Sequence, residues 1–219
     1  MTDTAEVEPP DAVRRHLEHW IGAWPPGLPV RVVASARTAE PGWDGTPRHA
    51  TGVVDPSGRA VVGVAPEVAT RLERTEITDV ESLRAAMPTA MQRRGVLGLG
   101  ALRWATDVPG SDDLPDIGVW LPATAADDPD DPRVDTWLAP FGGEVLVALD
   151  DDGVYLGGVG LKRHDHLGHE ISVVAAERAR GRGLARRLVA QAARRVQADG
   201  LAVTYLHAHD NVASAHVAR

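Results

Sequence analysis

The run from His169 to His207 constrains this chain more than any other stretch. "HEISVV" (169–174) and "LAVTYLH" (201–207) have the branched, apolar make-up of strands. Between them, "GLARRLVAQAARRV" sets Leu184, Ala185, Leu188, Val189, Ala192, Ala193 and Val196 on one side of a helix and its arginines on the other. Asp199-Gly200 ends the helix, which the spacing predicts over 182–198. Two strands joined by a helix of that length are parallel neighbours with a right-handed crossover. The fold class is therefore α/β, built around one parallel strand pair.

The remaining elements fall around this unit. Residues 1–10 read as a disordered tail. From Asp11, Val13, Leu17, Trp20 and Ile21 recur at helical spacing until Trp24-Pro25-Pro26. "VRVVAS" (30–35) is strand-like, and "TGVVDPSGRAVVGV" (51–64) is a hairpin around Asp55-Pro56-Ser57-Gly58. Helical patches follow near 66–74 and 78–91, then a strand over 96–105. The Pro- and Asp-rich section 107–135, with "IGVWLP" as its apolar island, reads as a linker or long surface loop and sets the domain boundary. That division gives an N-terminal α/β module over 11–106 and a second domain over 136–219. In the second domain "GEVLVAL" (143–149) and "VYLGGVGL" (154–161) flank the turn Asp150-Asp151-Asp152-Gly153. A turn through 163–168 leads to the strand at 169. Asp210 or Asn211 caps a last helix that is expected to run to Arg219.

Composition removes several function classes. With no cysteine there is no disulfide, zinc-thiolate site or cysteine nucleophile. A net charge of −8 repels polyanions. No apolar run is long enough to span a membrane, and the first residues lack a basic and an apolar leader region, so a cytoplasmic protein is expected. The charge is uneven: Asp107 to Asp135 holds nine aspartates against one arginine, and Arg178 to Arg195 holds seven arginines and no acid. The arginines form a spot without interleaved aromatics, which argues against nucleic acid. Arg187, Arg194 and Arg195 read as a solvated helix face.

The arginine stretch sits where a strand hands over to a helix. The first turn of a helix offers unpaired N–H groups and the positive end of the macrodipole, both of which attract phosphate. Gly181 and Gly183 let a ligand approach the backbone, while Arg180, Arg182 and Arg186 add forked positive charge. No Gly-Lys-Ser/Thr follows, as a Walker loop requires, and no acid ends the next strand, as a dinucleotide site requires.

Arg180-Gly181-Arg182-Gly183-Leu184-Ala185 resembles the Arg/Gln-x-x-Gly-x-Gly/Ala loop of the GNAT N-acetyltransferase superfamily, and the likeness extends over roughly 143–219. "HDNVASAHVAR" is similar to that family's Asn-x-x-Ser/Ala segment, with Asn211 and Ser214. The resemblance implies a mixed, twisted sheet with flanking helices and acetyl-CoA as co-substrate. It implies that the loop amides hold the coenzyme pyrophosphate. It also implies that Val173, Val174 and Ala175, on a strand that splays from its neighbour, offer backbone groups to pantetheine and to the thioester carbonyl. The expected reaction moves an acetyl group to a primary amine of a small molecule, in a monomer or homodimer with no nucleic-acid or membrane partner. The alternative is a catalytically silent acyl-CoA sensor.

The family takes its base from the strand before the loop, where His169 and Glu170 stand on opposite faces. Glu170 is preferred, because burial can raise a carboxylate's pKa and its charge attracts an amine. The family's acid for the departing thiolate is a tyrosine seven residues beyond the asparagine; Ala218 stands there, leaving water or His216. The family also continues with Gly-Phe and another strand, so the domain is expected to be incomplete at Arg219. His164, His166, His169, His207 and His209 suggest a rival metal site, weakened because His164 and His166 fall in a turn. Trp20, Trp24, Trp43 and Trp104 are read as core. "RAVVGVAPEVATRLER" (59–74) faintly echoes 170–187 without its glycines, so the N-terminal module could be a degenerate copy of the same unit.

Overall fold

The computed structural model describes residues 8–27, 30–92 and 98–219. The tail reading for 1–7 and the start of the 96–105 strand lie outside the described residues. The chain divides into two compact units, Met1–Leu99 and Gly100–Arg219.

The first unit contains α1 (Asp11–Ile21), β1 (Arg31–Ala34), β2 (Ala50–Val54), β3 (Ala60–Val64), α2 (Pro66–Leu72) and α3 (Val80–Met91). Its sheet runs β1-β3-β2, with β1 parallel and β2 antiparallel to β3. The β2–β3 turn is held by Asp55, whose carboxylate accepts from the Ser57 and Arg59 amides. Asp79 and Ser82 cap α3 reciprocally. Val64, Val68, Leu72, Leu83 and Met87 are buried together where the two later helices meet the sheet.

The second unit holds β4 (Gly100–Trp104), β5 (Val119–Pro122), β6 (Glu144–Leu149), β7 (Tyr155–Lys162), β8 (Gly168–Ala175), α4 (Leu184–Ala198), β9 (Ala202–Ala208) and α5 (Val212–Val217). The strand order is β4-β9-β8-β7-β6-β5, antiparallel except for the β8–β9 pair that α4 connects. The mixed α/β class and the central parallel pair are as expected. α4 buries Leu188, Ala192, Ala193 and Val196 against Leu146, Val159, Ile171 and Val203, so its apolar stripe meets one face of the sheet. The other face is covered by a 3-10 turn, Thr136–Phe141. Gly160 makes room there, since a Cβ at that position would lie 2.3 Å from the Phe141 ring.

Three boundaries differ from the sequence reading. The strand assigned to the N-terminal module is β4, which pairs with β9 at one edge of the second sheet, and the "IGVWLP" island supplies β5 at the other edge. The segment between them is tied along α4 rather than free. Arg194 donates to the Pro109 and Leu114 carbonyls and pairs with Asp116, while Gln191 bonds the Ile117 and Gly118 amides and the Gly118 carbonyl. Arg187 donates to the Pro115 carbonyl, and Arg195 pairs with Glu144 and lies 4.2 Å from the Trp120 ring centre. Composition suggested a linker, but α4 satisfies the polar groups of this segment. Those arginines are accordingly clamps, not a solvated face. The last helix is also shorter than expected: α5 ends at Val217, with Ala218 as its cap. No helix among the described residues is long and apolar enough to cross a membrane.

Candidate functional site

The glycine-arginine loop lies between the end of β8 and the start of α4. After a short 3-10 turn at Glu177–Ala179, the backbone passes through left-handed conformations at Gly181 (φ +76°) and Gly183 (φ +71°). Side chains rarely adopt that conformation, which is the local reason for glycine at both places. Gly183 is the N-cap of α4, and no side chain caps the helix there. The N–H groups of Leu184, Ala185 and Arg186 in the first turn therefore precede the first bonded amide, Arg187, which donates to the Gly183 carbonyl. Open space surrounds both glycines, with nothing within 4 Å of where a Cβ would stand.

The loop arginines divide by partner. Arg178 donates to Asp150 (2.7 Å) and to the Tyr155 carbonyl (2.8 Å), pinning the loop to the β6–β7 turn. Its guanidinium holds the Asp150 carboxyl below the usual carboxylate range. Arg180 reaches the Ala175 carbonyl at 3.3 Å. Arg182 and Arg186 make no hydrogen bond or ion pair with the described residues.

Ahead of this loop the two parallel strands part. Their register runs from Gly168↔Ala202 to Ile171↔Tyr205 and stops, although β8 continues to Ala175 and β9 to Ala208. Beyond Ile171, β8 stays paired with β7 through Gly157↔Ala175, so its edge toward β9 is left without a ladder partner. The opening is a cleft of 290 Å³, with Val173 and Val174 on one wall and Tyr205, Leu206 and Ser214 on the other. Trp137 and Phe141 reach it from the 3-10 turn on the second face. Val173 and Val174 thus line the cleft, and Ala175 stands at the end of the same free edge. Asn211 accepts the Ser214 amide at 3.0 Å as the cap of α5, and Ser214 Oγ accepts from the Tyr205 hydroxyl at 3.3 Å.

Glu170 and His169 stand on the paired part of β8, before the strands part. Glu170 is 2% exposed, with Lys162 Nζ 2.5 Å from one carboxylate oxygen and His164 Nε2 3.0 Å from the other. Burial pushes its pKa up, but the His164 and Lys162 contacts together outweigh burial and hold it below the ordinary carboxyl value. The expected upward shift is therefore reversed in direction. Two placements cause this: the turn after β7 brings His164 to the carboxylate, and register sets Lys162 directly opposite Glu170 across the β7–β8 pair. His169 points to the other face, its Nδ1 donating to the Gly168 carbonyl at 2.8 Å. His207 is buried at the end of β9, with Nδ1 donating to the Ala208 carbonyl. Among the described residues no three metal-ligating side chains converge.

The sequence reading missed both tyrosines of this chain. The Tyr155 hydroxyl accepts from Trp137 Nε1 (3.0 Å) and donates to the Val174 carbonyl (3.3 Å), bracing the cleft wall. Burial pushes its phenol up to about 12. Tyr205 lies at the last registered pair and lines the cleft itself. The available signal was scarcity, with two tyrosines and one phenylalanine in 219 residues, two of those three lining one cleft.

Comparison with known proteins adds three findings. The profile of the acetyltransferase (GNAT) family matches residues 114–219. A protein described as a GNAT-family acetyltransferase from Novosphingobium aromaticivorans is similar at 22% identity and a TM-score of 0.43, over 53% of this chain and 54% of that one. A GCN5-related N-acetyltransferase-like protein from Streptococcus suis is similar at 23% identity and a TM-score of 0.37, over 55% of each chain. The match thus spans about half the length of each structure. No curated protein matches.

Proposed function

Residues 114–219 form an acetyltransferase domain of the GNAT family, and from that premise we propose that this chain moves an acetyl group from acetyl-CoA to a primary amine of a small molecule. One observation carries the reading. A strand pair opens ahead of a helix that has no side-chain cap and is preceded by left-handed glycines in open space.

The residues fit the co-substrate. Amides of Leu184, Ala185 and Arg186, with the side chains of Arg182 and Arg186, can take a pyrophosphate at the positive end of α4. The free edge of β8 at Val173–Ala175 offers amide and carbonyl groups to an extended pantetheine arm, and an N–H there polarises the thioester carbonyl. Glu170 is ionised at neutral pH and takes the amine proton through water, because it stands one strand repeat behind the cleft residue Ser172 on the same face. Its paired state makes it a weak base. It is adequate for the acidic ammonium formed once nitrogen has bonded to the carbonyl carbon.

The test combines calorimetry with acetyl-CoA and thiol release over a panel of amines. Glu170→Gln should cut turnover about 100-fold and leave acetyl-CoA affinity intact, and His169→Gln should do less. The ion-paired Glu170 and the alanine at position 218 favour one second reading, a silent acyl-CoA sensor. Tight binding with no thiol release for any amine would establish the sensor instead.

A further inference from the structure

Acyl transfer leaves a thiolate on the coenzyme, and position 218, where the family resemblance expects the acid, holds alanine. The cleft wall facing Val173 and Val174 carries another donor. Ser214 lines the cleft, and its Oγ accepts a hydrogen bond at 3.3 Å from the hydroxyl of Tyr205, which lines it too. Ser214 is fixed by two further contacts: its amide donates to Asn211 Oδ1, and its carbonyl accepts from the Ala218 amide. Tyr205 is 7% exposed and anchored in the sheet core.

We infer that the Ser214 hydroxyl is the proton donor to the departing sulfur and that Tyr205 supplies it through their hydrogen bond. The inference rests on the transfer reading above. As the carbon–sulfur bond breaks, its electron pair stays on sulfur. The Ser214 proton moves to sulfur while the Tyr205 phenolic proton moves to Oγ, and water reprotonates the phenolate before the next turnover. The amine proton leaves separately toward Glu170, so the products are an amide and a free thiol. Burial pushes the Tyr205 phenol up, against the opposing effect of the Ser214 bond, so Tyr205 holds its proton at neutral pH. The groups around it are His207, whose ring centre is 6.4 Å away, and Arg103, opposite it on β4. Ser214 is the catalytic residue here; Tyr205 acts through it as a positioning residue.

The experiment compares wild type with Ser214→Ala, Ser214→Thr and Tyr205→Phe. Each is titrated with CoA and with desulfo-CoA at pH 8, and kcat and KM are measured by thiol release. A hydroxyl that donates to sulfur makes wild type prefer CoA over desulfo-CoA by about tenfold. Ser214→Ala should bind the two equally and lose about 100-fold in kcat at unchanged KM for acetyl-CoA. Ser214→Thr should restore both, and Tyr205→Phe should fall between. Full turnover in Ser214→Ala would overturn the assignment, as would an equal loss of affinity for both ligands. A wild type that prefers CoA but acylates no amine would overturn the transfer reading while keeping the sulfur donor.

Discussion

At the C-terminal half of α4, Arg194 and Arg195 reach back to Pro109, Leu114, Asp116, Glu144 and Trp120, and Arg187 joins them at Pro115. At its N-terminal end, Arg182 and Arg186 meet no partner among the described residues. All five come from one run of arginines. The difference lies in what the sheet delivers to each end. The β4–β5 connection and Glu144 of β6 bring carbonyls and acids beside Arg187, Arg194 and Arg195, whereas the parting of β8 and β9 leaves the loop at Gly181 and Gly183 in open space. One end is committed to structure; the other is open, and there we propose that the coenzyme pyrophosphate binds.

Gly183→Val should break this contrast most. A branched side chain at φ +71° strains the helix start and crowds the approach to its amides. Acetyl-CoA affinity should fall tenfold or more, about 1.4 kcal/mol or above, by calorimetry, with a stability loss of about 1–2 kcal/mol by urea unfolding. Unchanged affinity in the folded variant would remove the phosphate-loop reading.

Arg194→Ala should show the reverse pattern. Its side chain is 21% exposed and serves three acceptors, so stability should drop by about 1–2 kcal/mol while coenzyme affinity holds. If affinity fell instead, the division between the two ends would fail. Arg182→Ala should weaken coenzyme binding by about threefold to tenfold, more at low salt, and leave the urea midpoint alone. Arg195→Ala should cost about 0.5–1 kcal/mol, because the side chains of Arg195 and Glu144 are 41% and 48% exposed and water screens the pair.

A smaller effect separates Glu170 from these surface pairs. Its pKa in the folded state lies below the ordinary 4.5, so its contribution is complete above that value and is lost as pH falls through the folded value. Glu170→Gln should therefore flatten the loss of stability on the acid side of pH 4.5, measured by urea unfolding across that range. An unaltered acid limb would mean that Lys162 and His164 do not stabilise the carboxylate.

The elements that were legible in the sequence are those set by neighbours a few residues away. The stripe from Leu184 to Val196 wrote α4, and the aspartate turns at 55 and 150 wrote both hairpins. The loop was legible because its glycines report a backbone conformation. The domain boundary was not, because β4 pairs with a strand about a hundred residues later and local composition carries no trace of that partner. Asp116 and Pro109 read as linker residues until Arg194 is known to reach them.

Sequence by itself determined the parallel pair, its connecting helix and the place of the glycine loop, because period and turn chemistry act through the chain. Tertiary structure decided the ionisation of Glu170, the duties of the arginines and the meeting of Tyr205 with Ser214. Each depends on which distant groups stand within about 4 Å, where charge and hydrogen bonding take effect, and only strand register and helix packing set those distances.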